Sequence, residues 1–305
     1  MTLLKNFFCF AFLVLLTSTS SFAGQQDVWL IDSHSVPWTH ASETGFDRIA
    51  YYQLVNHRWI KSSANEFFKT QNPETPLVIF SPGYTSTTSD TVEIGAKLVR
   101  LYSQNHHCRT VFWQWPADRQ FLCLSQDIRA KIPVADTSGQ YLTMFLRKLK
   151  PESKICMIGF SFGNRIICDA VQNSGDLGFH IHLVLIAAAT DRLWLSAHSR
   201  HADVSKIAEK IFVFYNPDDR ALKFYPFLYG SNYHTDALGR FGPCLSQISE
   251  ENRNKIESIN ANRYVGKYHR TINYIQTSFF RQRINDYLLF ESKNNLLQTP
   301  KIREE

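Results

Sequence analysis

Two patterns of apolar residues alternate along most of the chain. Short runs that are apolar at nearly every position are typical of strands buried on both faces of a sheet, and residues 76–81 form such a run. Between these runs, apolar residues recur every three or four positions, which is typical of helices with one buried face. The alternation predicts an α/β fold, with a doubly wound, mainly parallel sheet that is flanked by helices.

The predicted elements fix where chemistry is expected. The predicted strands, in chain order, cover 28–32, 49–55, 76–81, 110–116, 154–159, 182–189 and 210–215, with a weaker one at 255–260. The predicted helices cover 64–70, a segment that starts at Asp90, a stripe from Tyr141 to Leu149, 162–172, and 271 to about 290. Functional groups gather at the carboxyl ends of parallel strands, so the loops that follow the strands are the first places to search.

The first 23 residues predict a signal peptide that is removed from the working protein. Ten apolar residues at 7–16 follow Lys5, and Ser21-Phe22-Ala23 has the small-residue pattern of a cleavage site. A membrane-spanning helix needs about 20 apolar residues, so no stable membrane insertion is expected after cleavage. The prediction is an exported protein, periplasmic or secreted, with an uncleaved N-terminal membrane anchor as the alternative.

The composition of the remaining chain, residues 24–305, favours a single domain and argues against some kinds of binding site. This part contains no repeat, low-complexity tract or Pro/Gly-rich linker, which favours a single domain. The net charge of the whole chain is +6, but the basic residues are scattered, so nucleic-acid binding is not expected. Without a CxxC motif or a Cys/His cluster, the sequence indicates neither a metal site nor a cofactor. Cys156 and Cys168 lie in apolar patterns and are expected to be buried, while a pair between Cys108 and Cys123 stays open.

A serine stands between two glycines where the predicted strand 154–159 ends. Gly159-Phe160-Ser161-Phe162-Gly163 has the pattern G-x-S-x-G, and a predicted helix starts directly after the serine. In this strand-turn-helix context the turn is tight, the serine backbone is strained and its hydroxyl is lifted clear of the sheet. The N–H groups at the helix start point at the same place and favour a developing negative charge. Ser161 is therefore the predicted nucleophile.

A serine nucleophile needs a histidine base that is oriented by a carboxylate, and with this motif both follow the serine in the chain, the carboxylate first. Asp218 and Asp219 follow the predicted strand 210–215 and the turn at Asn216-Pro217. Asp219 is preferred because it stands three residues past the start of the turn, and Asp218 is the alternative. We expect that one of the two orients the histidine and the other caps the helix that begins near Arg220.

The base is expected between the last predicted strand and the final helix. His269 is the one histidine in that loop, and His234, in an aromatic loop, is the reserve candidate. The oxyanion is expected to be held by the backbone N–H of Phe162 and by that of Tyr84, in the loop after strand 76–81. A plain strand-ending turn is the alternative for that loop.

Six segments in a fixed order resemble a group of alpha/beta hydrolases, mostly bacterial, over residues 28 to about 280. They are SPGYTS (81–86), VFWQWPADR (111–119), GFSFGNRI (159–166), LIAAATD (185–191), DDRALKFYP (218–226) and VGKYH (265–269). In that family the first loop usually reads His-Gly, whereas Pro82 stands at the histidine position here. The resemblance implies hydrolase chemistry with Ser161, Asp219 and His269, but it supplies no substrate.

The predicted function is a serine hydrolase that cleaves a carboxylic ester, of the esterase or lipase kind, through an acyl-enzyme and without a cofactor. The expected substrate is a small-molecule or lipid-like ester. Residues 224–234 carry five aromatic side chains and are expected to form a lid or a packed loop. The alternative is a catalytically silent hydrolase fold that acts as a secreted binding module.

Overall fold

A computed structural model describes residues 27–102, 107–228, 236–288 and 290 of the chain. The strands are β1 (Asp27–Asp32), β2 (Ala50–Val55), β3 (Arg58–Ser62), β4 (Leu77–Ser81), β5 (Arg109–Gln114), β6 (Lys154–Phe160), β7 (His180–Ile186), β8 (Lys210–Tyr215) and β9 (Ile256–Asn260). The helices are α1 (Glu43–Phe46), α2 (Ala64–Lys69), α3 (Thr88–Tyr102), α4 (Leu124–Leu146), α5 (Phe162–Ser174), α6 (Val204–Ile207), α7 (Tyr225–Leu228), α8 (Leu238–Phe241), α9 (Glu250–Arg253), α10 (Asn262–Val265), α11 (Thr271–Ile275) and α12 (Ser278–Leu288).

The nine strands form one twisted layer in the order β3-β2-β1-β5-β4-β6-β7-β8-β9. Every neighbouring pair from β1 to β9 along this order is parallel, and only the pairs that involve β2 and β3 are antiparallel. All residues of β4 and β5 are buried, as a sheet covered by helices on both faces requires. The predicted fold class is confirmed, and β6, which leads to Ser161, lies near the middle of the sheet.

The two tryptophans in β5 and just after it belong to the buried core. Trp113 and Trp115 are both fully buried. The Trp113 indole N–H donates to Ser138 Oγ at 3.0 Å, and the Trp115 indole N–H donates to the Pro82 carbonyl at 2.9 Å. A buried indole needs such a partner, so each tryptophan also fixes a neighbouring segment. Through Trp115, the sheet core holds the loop that follows β4.

Sequence reasoning missed the hairpin of β2 and β3. The turn between these strands is Asn56-His57, and both residues have positive φ, 49° and 63°. This combination is the two-residue turn whose twist matches antiparallel strands. β3 is polar and mostly exposed along its length, so it lacks the apolar run that marked the other strands.

Three predicted helix boundaries were wrong. α3 begins at Thr88 rather than Asp90, because Thr87 Oγ1 accepts the Asp90 N–H at 3.1 Å and Asp90 accepts the Thr87 N–H at 2.9 Å. α4 starts at Leu124 and continues through Pro133, well before the predicted stripe. The predicted tail helix is two helices, because α11 ends at Ile275 and α12 begins only at Ser278.

The five described cysteines are all free thiols. Cys156 and Cys168 are buried, as predicted. Cys108 is buried and Cys123 is exposed, so the pair that the sequence left open does not form. Within the described residues no helix has the length and apolar character to cross a membrane.

A buried charge cluster anchors α5, the helix that follows Ser161. Arg165 donates to Asp136 of α4, and Arg200 donates to Asp136 at 2.7 Å and to Asp169 of α5 at 2.9 Å. His201 Nε2 lies 2.7 Å from the Asp169 carboxylate. Burial disfavours the charge on Asp169, but His201 and Arg200 outweigh it and lower the pKa of this carboxyl group. The cluster therefore pins α5 to α4 and to the loop after β7.

His182 of β7 makes the stability of the fold sensitive to acid. Burial lowers its pKa to about 4, and its Nδ1 lies 2.8 Å from the Tyr287 carbonyl. Between pH 6.5 and 4 the unfolded chain binds a proton at this site and the folded chain does not, so stability falls as the pH falls. We expect this histidine to account for a loss of about 2 kcal/mol at about pH 5 relative to pH 7. In His182→Gln that part of the loss is absent, and urea unfolding of both proteins at the two pH values measures it. Equal losses in the two proteins would contradict the assignment.

Candidate active site

The backbone of Ser161 is held in a strained conformation between β6 and α5. Its φ is 52° and its ψ is −116°, in a region that non-glycine residues rarely adopt. Its N–H donates to the Ile186 carbonyl at 3.0 Å, and its carbonyl accepts the Ala189 N–H at 3.2 Å. Asn164 Nδ2 donates to the carbonyls of Ser161 and Ile186 at 3.1 and 2.9 Å. These four hydrogen bonds fix the serine against the end of β7.

Both glycines of the pentapeptide are required by close backbone contacts. A Cβ on Gly163 would lie 2.0 Å from the carbonyl oxygen of Ser81, at the end of β4. A Cβ on Gly159 would lie 2.8 Å from the Asn164 Cα. Gly163 therefore lets α5 start directly against β4, and Gly159 lets the turn close over Asn164. These contacts agree with the tight turn that the sequence predicts at this place.

Asp219 lies just past the end of β8 and is buried. Its Oδ1 accepts the backbone N–H groups of Ala221 and Leu222, each at 2.9 Å. Its Oδ2 lies 2.7 Å from Nδ1 of His269. One carboxylate thus caps the following turn and also contacts the histidine, so the expected division of these tasks between Asp218 and Asp219 was wrong. The exposed Asp218 instead donates its N–H to Asn216 Oδ1 at 3.1 Å.

His269 lies between α10 and α11, in a loop that is tied to the loop of Asp219. Asn216 Nδ2 donates to the Gly266 carbonyl at 2.7 Å, and the Arg220 N–H donates to the Lys267 carbonyl at 3.3 Å. The imidazole ring packs on Phe160, with 4.9 Å between the ring centroids. Contacts on both sides therefore orient the imidazole.

The structure brings Ser161, His269 and Asp219 into one hydrogen-bonded line. Nε2 of His269 lies 2.9 Å from Oγ of Ser161, while Nδ1 faces Asp219. The carboxylate can only accept, so Nδ1 carries the proton and Nε2 is left to accept the serine hydroxyl. Asp219 has no exposed side-chain surface, and His269 keeps 17% of its own. The arrangement can deprotonate the serine as it attacks an electrophile.

The loop after β4 packs directly on the serine. A Cβ on Gly83 would lie 3.1 Å from the Ser161 Cβ, so the loop backbone reaches the serine side chain. Thr85 has a φ of 66° and donates its N–H to the Ala117 carbonyl at 3.0 Å. Among the described residues no backbone acceptor takes the Tyr84 N–H. Both predicted donors, Tyr84 and Phe162, thus belong to segments that border Ser161.

The side chain of Tyr84 fastens this loop to α4. Its hydroxyl donates to Asp127 Oδ2, and Asp127 Oδ1 accepts the N–H groups of Gln120 and Phe121 at 2.7 and 2.6 Å. Burial disfavours the charge on Asp127, but these three donors outweigh it and lower the pKa of its carboxyl group. Pro82 offers no hydrogen-bonding side chain, so Asp127 and Trp115 hold the loop from its flanks.

Tyr274 of α11 is a further buried neighbour of the site. Its ring lies 6.3 Å from that of Phe160, and its hydroxyl has no geometrically good hydrogen bond within the described part of the chain. Burial and the charge of Asp219 raise the pKa of its hydroxyl. This tyrosine therefore stays neutral beside the carboxylate.

Sequence reasoning found the three aligned side chains but missed their supports. Asn164, Asn216 and Asp127 each hold part of the site, and only Asn164 lies beside the recognised motif. The reserve candidate His234 lies outside the described residues. In the described part of the chain, no group of three His, Cys, Asp or Glu side chains is placed to hold a metal ion.

The fold agrees with a comparison of the chain with known families. The model of the family described as alpha/beta hydrolase of unknown function (DUF900) matches residues 60–265. This match covers more than half of the chain, so the protein belongs to that family of alpha/beta hydrolases.

Several solved structures are similar in fold. A predicted CIB-like hydrolase from Thermoplasma acidophilum has 14% sequence identity and a TM-score of 0.38, and the match covers 79% of this chain and 92% of that one. Esterase B from Lactobacillus rhamnosis has 11% identity and a TM-score of 0.37, with 85% of this chain and 83% of that one covered. SOBER1 from Arabidopsis thaliana has 11% identity and a TM-score of 0.39, with 70% and 97% covered. No curated protein matches the chain in sequence.

Proposed function

We propose that this alpha/beta hydrolase is a serine esterase that works through an acyl-enzyme, with Ser161, His269 and Asp219 as its catalytic triad. One observation carries the proposal. Three side chains from three separate loops meet in the order carboxylate, imidazole, hydroxyl, at 2.7 and 2.9 Å. This is the geometry in which a base both takes and returns a proton.

In the acylation step, Ser161 Oγ attacks the carbonyl carbon of the ester while His269 Nε2 takes the hydroxyl proton. Asp219 holds the imidazole tautomer and stabilises the imidazolium ion that forms. The negative charge on the carbonyl oxygen is held by the N–H groups of Phe162 and Tyr84. Removal of one such donor costs about 3 kcal/mol in a well-measured case, so the position of the loop after β4 matters for rate.

In the collapse of this intermediate, His269 returns its proton to the leaving alcohol and Ser161 stays acylated. A water molecule then attacks the acyl carbon while His269 takes its proton. The second tetrahedral intermediate collapses as His269 returns that proton to Ser161 Oγ, which releases the acid and frees the serine. Every proton is accounted for by the one histidine. The chain needs no cofactor for this sequence of steps.

The substrate class that we propose is an ester with an apolar acyl or alcohol part. The Tyr84 ring is only half-buried and belongs to the loop that packs on Ser161, and its centroid lies 6.1 Å from that of the buried Phe162 ring. Such side chains favour apolar groups over charged ones. Of the aromatic segment 224–234, only residues up to 228 belong to the described chain, so a lid there stays a sequence prediction.

Export of the protein also stays a proposal from the sequence. Residues 1–23 lie outside the described residues, and the apolar run at 7–16 with Ser21-Phe22-Ala23 supports a cleaved signal peptide. A periplasmic or secreted enzyme would meet its ester substrate outside the cytoplasm.

A fluorophosphonate probe tests the proposed nucleophile. The activated serine attacks phosphorus and expels fluoride, so the wild-type protein is expected to be covalently labelled and Ser161→Ala to lose the label completely. Ser89→Ala, which removes an exposed serine at the start of α3, is the matched control and keeps the label. A folded wild-type protein without label would instead favour a catalytically silent binding module.

The two neighbouring aspartates give a second test. Asp219→Asn leaves a hydrogen-bonding group of the same size but removes the charge that fixes the histidine tautomer, so kcat for a p-nitrophenyl ester is expected to fall by about 10⁴-fold. Asp218→Asn changes an exposed carboxylate and is expected to keep a kcat close to that of wild type. If both variants lost activity equally, the assignment of Asp219 would be wrong. Circular dichroism of both proteins checks that they are folded.

A further inference from the structure

An apolar patch with exposed large side chains lies at the edge of the sheet that carries Ser161. Its members come from three segments that follow the carboxyl ends of β5, β8 and β9. Leu122 is 96% exposed, Phe227 75%, Tyr268 61% and Phe224 52%. Single exposed apolar residues are ordinary, but a group of large ones around one site marks an interaction surface.

The segments of this patch are physically joined. α4, which starts two residues after Leu122, packs against α7, which carries Phe227. The loop of Asp219 leads into α7, and its Arg220 N–H donates to the Lys267 carbonyl, next to Tyr268. These contacts link the three segments at the end of the sheet where Ser161 lies, so neighbouring segments carry the apolar side chains.

Leu122 is presented to solvent by a fixed loop. Arg119 Nε donates to the Phe121 carbonyl at 2.9 Å, and another guanidinium nitrogen donates to the Leu122 carbonyl. The N–H of Phe121 is held by Asp127 at 2.6 Å. Turning Leu122 inward would break these hydrogen bonds, so the loop keeps the Leu122 side chain exposed to solvent.

The charges around the patch have one predominant sign. Its three segments expose seven basic side chains, which are Arg119, Arg129, Arg220, Lys223, Arg263, Lys267 and Arg270. The same segments expose only two acidic ones, Asp118 and Asp218, because Asp127 and Asp219 are buried. Exposed apolar tips on segments with an excess of cations match an anionic lipid surface, where the tips enter the headgroup boundary and the cations meet phosphate.

We infer that this patch docks the protein on the surface of anionic phospholipid bilayers, with the mouth of the Ser161 site against the lipid. The inference concerns membrane binding rather than ester hydrolysis, so it does not depend on whether Ser161 is catalytic. If both hold, the enzyme takes its ester from the membrane surface rather than from water.

Vesicle sedimentation tests the inference. The Ser161→Ala protein is used throughout, so that lipid hydrolysis cannot disturb the measurement. We expect it to sediment with vesicles of equal parts phosphatidylcholine and phosphatidylglycerol, far less with phosphatidylcholine alone, and less as salt rises. Adding Leu122→Asp and Phe227→Asp is expected to lower the partition coefficient by about tenfold or more, because both tips lose apolar burial. Lys223→Glu with Lys267→Glu is expected to lower it by about tenfold or more through charge.

Residues of β3, the outermost strand of the sheet, supply the controls. Ile60 of β3 is 50% exposed and Lys61 beside it is exposed, so Ile60→Asp and Lys61→Glu make the same chemical changes away from the patch. Both are expected to bind vesicles as the parent does. The inference is overturned if the parent does not sediment, or if the control variants lose binding as much as the patch variants. It is also overturned if the protein self-associates through Leu122 and Phe227 in solution without binding vesicles, which would make the patch an interface between two copies.

Discussion

The strained backbone of Ser161 is the constraint on which the rest of the site depends. A non-glycine residue at a φ of 52° and a ψ of −116° costs about 1 to 3 kcal/mol, so the surrounding structure must enforce it. Hydrogen bonds to the end of β7, the Asn164 amide and the close approach of α5 to β4 together do so. The consequence is a hydroxyl that stands clear of the sheet, at the start of a helix and within 2.9 Å of an imidazole. The turn therefore sets the position of the hydroxyl with which His269 aligns.

Two buried carboxylates of the site each connect two segments of the chain. The Asp219 carboxylate uses one oxygen to cap the turn after β8 and the other to orient His269, so the local fold of its loop and its chemical role are one arrangement. On the other side of the serine, Asp127 joins the loop of Tyr84 to the loop that presents Leu122. The inferred lipid-binding patch and the proposed oxyanion loop therefore share a buried carboxylate.

Most of the sheet and the three aligned side chains could be predicted from the sequence. The central parallel strands are strongly apolar, and each of the three side chains lies in a segment that follows a strand. Ser161, Asp219 and His269 could be assigned by their order and by the loops they occupy. β3 could not, because it is a polar edge strand whose turn lacks glycine. Most of α4 could not, because its buried face carries Asp127, Lys131 and Ser138, whose pairing depends on distant segments. The roles of Asn216 and Asp127 in holding the loops of the site could not be predicted for the same reason. Their partners, Gly266 and Tyr84, lie 50 and 43 residues away in the chain.

A crystal structure of the protein after reaction with a phosphonate ester tests the central claim most directly, since the adduct imitates the tetrahedral intermediate. The account predicts a bond from phosphorus to Ser161 Oγ and a non-bridging oxygen within about 3 Å of the backbone nitrogens of Phe162 and Tyr84. His269 should stay between the adduct and Asp219. Phosphorus bound to another residue, or an oxygen that points away from both nitrogens, would contradict the account.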